Sequence, residues 1–383
     1  MITLFVVLGV FFFIVAIYPF TIYPWSLILL QALVPKRQSS FDTLSTSHLT
    51  CAICVCAYNE ERVIERKIKN LLALRERETH LEILVYVDAS SDRTVEILTP
   101  YASQIHLYVS KERRGKTHGM NVLASNATAQ LLIFTDANVV MDINCVAAFK
   151  RYFVAPDVGC VCGTLVYTND DASVTAASGS AYWRFEEAVK RLEMESGSMM
   201  GADGSVFAIR RSLHQPPPDY IIDDMYVSLT ILCSGFRVVQ ANDARAYEES
   251  VHVAAEEFNR KIRIACQAFN VHRLLWPRLR ELDRITLYKY VSHKLIRWFT
   301  IYFLALSVVF LSAALVTAGM LLVAVASLLL FTALLSCGHL FGLKPFAQIA
   351  DVLLALLGAG VGVWKSLRGE RYQTWTPASS VRR

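Results

Sequence analysis

The run Leu131-Leu132-Ile133-Phe134-Thr135-Asp136-Ala137-Asn138 reads as a buried strand that ends in a carboxylate, Asp136, and a second side-chain oxygen, Asn138. In open α/β sheets, ligands bind outside the carboxyl ends of the strands. Acceptor groups spaced i, i+2 at such an exit can share one hard cation. Such ions prefer oxygen ligands and bridge readily to phosphates. Many α/β proteins end a strand in Asp, so this stretch gains its meaning from what surrounds it.

Upstream, short apolar strands alternate with amphipathic helices. Leu49–Ala57, Leu81–Val87 and Gln104–Val109 read as strands, and Glu60–Leu74, Arg93–Leu98 and Thr117–Ala127 as helices. Val63, Ile64, Ile68, Leu71 and Leu72 line one face of the first helix. This order predicts a mainly parallel sheet covered by helices on both faces. Every strand exit is polar: Tyr58-Asn59-Glu60, then Asp88-Ala89-Ser90-Ser91-Asp92, then Arg113-Arg114-Gly115-Lys116, then Asp136-Ala137-Asn138. Each can be read as a helix cap. In succession they read better as one pocket of mixed charge.

Two related folds fail on the residues. A dinucleotide site needs G-x-G-x-x-G in the first strand–helix turn, where this chain has Ala57-Tyr58-Asn59-Glu60-Glu61. Gly115-Lys116-Thr117 imitates a P-loop, but that loop needs a glycine five residues before Gly115. Ser110 stands there, and Lys111-Glu112-Arg113-Arg114 is bulky.

Val158–Tyr167 opens a less regular second half that runs to about Ala246 and contains the Pro216-Pro217-Pro218 turn. Gly201-Ala202-Asp203-Gly204 precedes a strand, Ser205–Ile209. Asp223 and Asp224 then open a helix, where the helix dipole favours ionised carboxylates. One of them is a candidate general base. Glu257-Phe258-Asn259-Arg260-Lys261-Ile262-Arg263 is a cationic helix able to hold a pyrophosphate. Membrane-surface contact is the competing role for Lys261.

The chain has 383 residues, 54% of them hydrophobic. No Asp, Glu, Lys or Arg occurs from Met1 to Pro35 or from Trp298 to Leu343. A spanning helix needs about 20 apolar residues, so the first stretch holds one span and the second holds two. A cleaved signal peptide fits poorly, because the N-terminus has no basic region and no small-x-small site. Lys36 and Arg37 after the first span, and Lys294 and Arg297 before the second, put the domain between them in the cytoplasm. Lys365, Arg368, Arg371, Arg382 and Arg383 put the tail there too, so Phe346–Trp364 is expected to be re-entrant or interfacial. Cys51 and Cys54 have CxxC spacing but sit in an apolar strand-like run with no second zinc-spaced pair, and the nine cysteines read as reduced core residues. The net charge of +5 sits largely in membrane flanks and tail, which suits anionic lipid and not nucleic acid.

In order and type these motifs resemble the membrane-bound family 2 glycosyltransferases, among them the hyaluronan, chitin, cellulose and poly-N-acetylglucosamine synthases. The resemblance covers roughly Leu49 to Trp298. It implies a GT-A, Rossmann-like catalytic domain. Tyr58, Asn59, Glu60, Asp88, Asp92, Lys116, Asn121, Asp136, Arg260 and Arg263 would then face a nucleotide sugar, most simply a UDP-sugar. Asp136 and Asn138 would hold the metal, Mg²⁺ or Mn²⁺, and Asp203 and Gly204 would face the acceptor. Asp224, with Asp223, would be the catalytic base. Ser292-His293-Lys294 and Arg297-Trp298 resemble bacterial exopolysaccharide members. Two positions depart from the pattern. Asn138 replaces the second metal-motif carboxylate, and Ile264 replaces a tryptophan that processive relatives place at the acceptor entrance. Trp183 is a substitute sugar platform, with core packing as its competing role.

The expected organisation is a membrane segment over 1–35, a cytoplasmic GT-A domain over 36–283 and an interfacial helix over 284–297. A membrane region over 298–364 and a basic cytoplasmic tail over 365–383 complete it. The expected function is inverting transfer onto a growing membrane-associated glycan in polysaccharide biosynthesis at the inner membrane. A further copy or an export partner would complete a channel. Single addition to a lipid-linked acceptor is the alternative, and a degenerate nucleotide-sugar-binding subunit or a P-loop ATPase are the more distant ones.

Overall fold

The computed structural model describes residues 1–33, 48–78, 80–168, 174–249 and 254–375. Lys36, Arg37, Arg382 and Arg383, which carried part of the topology reading, lie outside these residues.

Helix α1 (Ile2–Ile17) passes through a 3₁₀ turn into α2 (Ile22–Leu33). The first half of the α/β region then alternates strictly: β1 (Cys51–Ala57), α3 (Ile64–Arg77), β2 (Leu81–Asp88), α4 (Thr94–Leu98), β3 (His106–Ser110), α5 (Lys116–Asn126) and β4 (Leu131–Asp136). The second half holds β5 (Val140–Met141), α6 (Cys145–Tyr152), β6 (Val158–Tyr167), α7 (Val174–Glu195), β7 (Val206–Arg210), α8 (Asp223–Cys233) and β8 (Arg237–Glu248). Then come α9 (Ala254–Leu279), α10 (Arg284–Tyr290), a π-helical turn (Val291–Leu295) and α11 (Ile296–Trp298). Last come α12 (Thr300–Thr317), α13 (Leu321–Phe341) and α14 (Phe346–Leu367).

The strands form one sheet in the order β3-β2-β1-β4-β7-β6-β8-β5. β1 to β4 are mutually parallel where they pair, and β7 runs antiparallel to β4 and β6. Alternation along β1 divides the core. Ile53 and Val55 pack with Ile64, Ile68 and Leu71 on one face, and Cys54 and Cys56 with Met120, Leu123 and Phe134 on the other. Most of the cysteines are buried in this way, as free thiols. Register positions the site. Cys56 lies level with Tyr86 and Asp136, and Asp88 with Ser110, so the exits of β1 to β4 open on one edge.

The helix after β1 begins at Ile64, later than the sequence pattern suggests. Asn59 adopts a positive φ of 52°, and the Glu60 carbonyl accepts from the Val63 and Ile64 amides. That turn leaves the Asn59 and Glu61 amides free to bond to the β2 exit.

Among the described residues, four helices are long and apolar enough to cross a membrane: Ile2–Phe20 with its 3₁₀ turn, Thr300–Thr317, Leu321–Phe341 and Phe346–Leu367. α1 and α12 lie close together, Ser307 Oγ donating to the Gly9 carbonyl at 2.9 Å. The C-terminal half of α14 instead packs on α9. Gly358 faces Phe258 and Lys261, Gly362 faces Ile262, Ala265 and Cys266, and Ser366 Oγ donates to Asn270 Oδ1 at 2.6 Å. This stripe of small residues at i, i+4 spacing lets the two backbones approach closely.

Candidate active site

Parallel strands ending at one level bring the chemistry together at the exits of β1, β2 and β4 and the start of α8. Lys116 opens α5, and its Nζ lies 2.7 Å from Asp136 Oδ1 and 3.8 Å from Asp223 Oδ2. Asp223 is buried, and its Oδ2 makes no hydrogen bond among the described residues. Asp224 is half-buried beside it. Burial first, and then the neighbouring Asp223 charge, push its carboxyl up to about 7, against the pull of Lys116. A carboxylate tuned close to neutrality is suited to general-base work. Gly204 explains how it stays accessible: a side chain there would place its Cβ 2.7 Å from Asp224 Oδ2. Arg263, on α9, is held below its usual range by burial and by Arg260, while Asp136, Asp224 and Asp223 act on it in the opposite sense. Lys116, Asp136, Asp223, Asp224 and Arg263 therefore share one electrostatic centre.

Other residues of the expected site hold the loops. Asp88 is fully buried and accepts from the Arg114 and Gly115 amides at 2.7 and 3.0 Å. Asn59 Oδ1 accepts from the Ser91 amide at 2.8 Å, tying the β1 exit to the β2 exit. Asp92 caps α4 through the Thr94 amide at 3.0 Å and also accepts from the Glu61 amide. Glu60 is buried, and its amide donates to Thr94 Oγ1 at 2.9 Å. Asn121 donates to the Pro217 carbonyl at 2.8 Å. Arg260 pairs with Glu257, three residues earlier on α9.

Asn138 and Asp203 face partners unlike those expected. Asn138 Nδ2 donates to Glu248 Oε1 at 2.9 Å, so its amide reaches across to the end of β8. Asp203 is bound to the buried Lys190 of α7 and lies near Cys162 Sγ. Trp183 falls within α7, but its side chain lies outside the described residues. Among the described residues no group of three or more His, Cys, Asp and Glu side chains converges as a metal cage. Asp136 offers a half-exposed carboxylate at the pocket, in contact with Lys116. That donor set suits a cation that takes one protein carboxylate and completes its shell with diphosphate oxygens.

The sequence pattern missed two features. Lys67 of α3 is fully buried behind the β4 exit. Its Nζ donates to Thr135 Oγ1 at 3.0 Å and to the Val139 carbonyl at 2.7 Å, gripping the turn that carries Asp136. Burial lowers its ammonium to about 7. The tail after α14 crosses the site. Arg113 lies 3.3 Å from the Tyr58 ring centre and donates to the Trp375 carbonyl, and the Trp375 ring stands edge-on to Tyr58. Gln373 Nε2 donates to the Arg114 carbonyl at 3.1 Å. A lone tryptophan in a polar tail was the only signal for this path.

Residues 52–215 match the family described as glycosyl transferase family 2. No curated protein matches the chain. Among solved structures, the chain is similar to a mannosyltransferase from Pyrobaculum calidifontis, determined in complex with GDP-Man and Mn²⁺. The TM-score is 0.71 at 21% identity, over 96% of this chain and 99% of that one. It also resembles the glucosyl-3-phosphoglycerate synthase of Mycobacterium tuberculosis, with a TM-score of 0.42 at 17% identity, over 62% of this chain and 83% of that one. Residues 52–215 thus carry the likeness to glycosyl transferase family 2, on a GT-A fold flanked on both sides by helices able to cross a membrane.

Proposed function

We propose that the protein is an inverting glycosyltransferase that moves a sugar from a nucleoside-diphosphate sugar to a membrane-associated acceptor. The observation that carries this reading is Asp224: a carboxylate raised to about 7, set against Gly204 and flanked by Lys116 and Arg263. Asp224 takes the proton of the acceptor hydroxyl, whose oxygen attacks the anomeric carbon on the face opposite the leaving diphosphate. One base suffices, because no covalent sugar–enzyme bond forms. Lys116 and Arg263 add positive charge where the leaving group gains negative charge. Asp136 is the residue that would hold Mg²⁺ or Mn²⁺, which when bound neutralises the diphosphate.

A UDP-sugar is the first donor reading. GDP-mannose is the second, supported by the end-to-end likeness to a protein determined with GDP-Man. Asp88, expected to face the nucleotide sugar, spends both oxygens on the Arg114 and Gly115 amides. We read α1, α12 and α13 as crossing the inner membrane, with α14 lying along its cytoplasmic face. Supporting this, α14 packs on α9, and Gln373 and Trp375 reach the catalytic site. Three crossings are few for a self-contained export channel. That supports single addition to a lipid-linked acceptor over growth of a polysaccharide, which would need a partner or a second copy.

Purified protein is given a panel of UDP-sugars and GDP-mannose with Mg²⁺, Mn²⁺ or EDTA, and nucleoside diphosphate release is measured. The expected result is metal-dependent release with one donor and a single lipid-extractable product. A ladder of products restores the polysaccharide reading. Release from no donor refutes the enzyme reading and leaves a binding subunit.

A further inference from the structure

Ser292, His293 and Lys294 lie in the π-helical turn at the foot of α12 and have no part in the donor site. Such turns are frequent at functional sites. His293 is fully buried, with Nδ1 2.7 Å from Glu193 Oε1 and Nε2 2.9 Å from Glu186 Oε1. Glu193, also fully buried, accepts the Tyr23 hydroxyl of α2 at 2.5 Å and, through Oε2, the Met200 amide at 3.1 Å. Lys289 Nζ donates to the Glu193 and Ser196 carbonyls, each at 2.9 Å, closing the end of α7.

From Met200 the chain enters Gly201-Ala202-Asp203-Gly204. The Ala202 amide donates to Ser228 Oγ at 3.1 Å, and Ser228 Oγ donates to the Asp224 carbonyl at 2.7 Å. Gly204 lies against the Asp224 carboxylate. A continuous line of short, largely buried contacts thus runs from α2 and the π-helical turn, through Glu193 and Met200, to the base.

We propose that His293 is a positioning residue for the acceptor side of the site: by fixing Glu193, and through it the Met200 amide, it holds the Gly201–Gly204 loop against Asp224. The inference rests on the glycosyl-transfer reading above. His293 touches neither donor nor base. In transfer, the bond from the anomeric carbon to the diphosphate oxygen breaks, the bond to the acceptor oxygen forms, and the acceptor proton passes to Asp224. In hydrolysis, water replaces the acceptor. A bulky acceptor needs the loop in place, and water does not.

The test uses the full chain in its native membranes, with the donor found in the panel labelled in its sugar. Label retained in the membrane measures transfer, and free labelled sugar measures hydrolysis. His293→Gln is expected to cut retained label about tenfold or more, since small misplacements of reacting groups are costly. Free-sugar release and the donor KM should stay within about threefold, because the donor side is untouched. Tyr23→Phe, which removes a single hydrogen bond to Glu193, shifts the same ratio by less. It decides alone if His293→Gln does not fold. An unchanged ratio, or retained and free label falling together, overturns the proposal. Wild-type protein that neither transfers nor hydrolyses any donor overturns the glycosyl-transfer reading itself, and this inference with it.

Discussion

The proposed donor half and the proposed acceptor half of the site are held by different means. On the donor half, neighbouring strand exits bond to one another: Asn59 to Ser91, Glu61 to Asp92, and Asp88 to the amides of Arg114 and Gly115. The Asn59 and Asp92 links are exposed, whereas Asp88 is buried and places both oxygens on backbone amides. On the acceptor half, buried ionisable side chains reach back from distant segments: Lys190 to Asp203, Lys289 to the end of α7, and His293 to Glu186 and Glu193. Removing one member of a buried charged set leaves the other uncompensated, which costs far more than losing an exposed bond. The donor half should therefore tolerate substitution in its loops, and the acceptor half should not.

Asp224→Asn breaks the acceptor half alone. Transfer should fall by about a thousandfold, within the range for loss of a general base, while donor binding measured by calorimetry survives. In the wild type the rate should rise as pH climbs through about 7, where the Asp224 carboxyl loses its proton. The sign for stability is the reverse. A folded value above the unfolded one means the folded state binds more protons, so stability falls as pH rises toward 7. Asp224→Asn should raise Tm at pH 8, and a lowered Tm there would argue against a strained carboxylate.

Asp136→Ala attacks the donor half at the half-exposed carboxylate of the β4 exit. Mn²⁺ binding in the presence of UDP or GDP, read by calorimetry, should be lost along with metal-dependent turnover. Full activity in EDTA would leave Asp136 as a partner for Lys116 only.

Lys67→Met tests how the donor half keeps the Asp136 turn in place. It leaves Thr135 and the Val139 carbonyl without their donor, at a cost of about 1–3 kcal/mol. Lys67 also has a folded value of about 7, below that of the unfolded chain. The folded state therefore binds fewer protons, and stability rises between about pH 7 and pH 10. The variant should lose that rise in a Tm-versus-pH series.

Asn138→Asp should have the smallest effect. Restoring a second carboxylate would appear to strengthen a metal site, yet the new charge faces Glu248. A Tm loss of about 1 kcal/mol in stability terms is expected, the scale of one hydrogen bond. A tighter Mn²⁺ site with no Tm loss would mean that the side chain turns back toward Asp136.

The parallel strands were legible because each apolar run ends in polar residues, and because level exits follow from the parallel register. Asp223 and Asp224 were legible as a pair at a helix start. Roles that depend on a distant partner were not. Asp92 as a cap and Asp92 as a ligand use the same residue in the same place. Nothing local tells Asn138 that Glu248 lies beside it, or Asp203 that Lys190 does. Lys67 sits on the buried stripe of an amphipathic helix, where a lysine merely looks misplaced. β5 is two residues long, too short for any periodicity to show.

The path of the tail is written in α9 and not in the tail. Gln267 and Asn270 donate to the backbone carbonyls of Tyr372 and Glu370, and Arg273 to that of Ser366. Every amino acid offers the same carbonyl. The tail can therefore drift in sequence and keep its course over the catalytic edge, while its anchors on α9 cannot change freely. Among relatives of this chain, the constancy of those three α9 side chains, more than any tail motif, should report whether the strap is present.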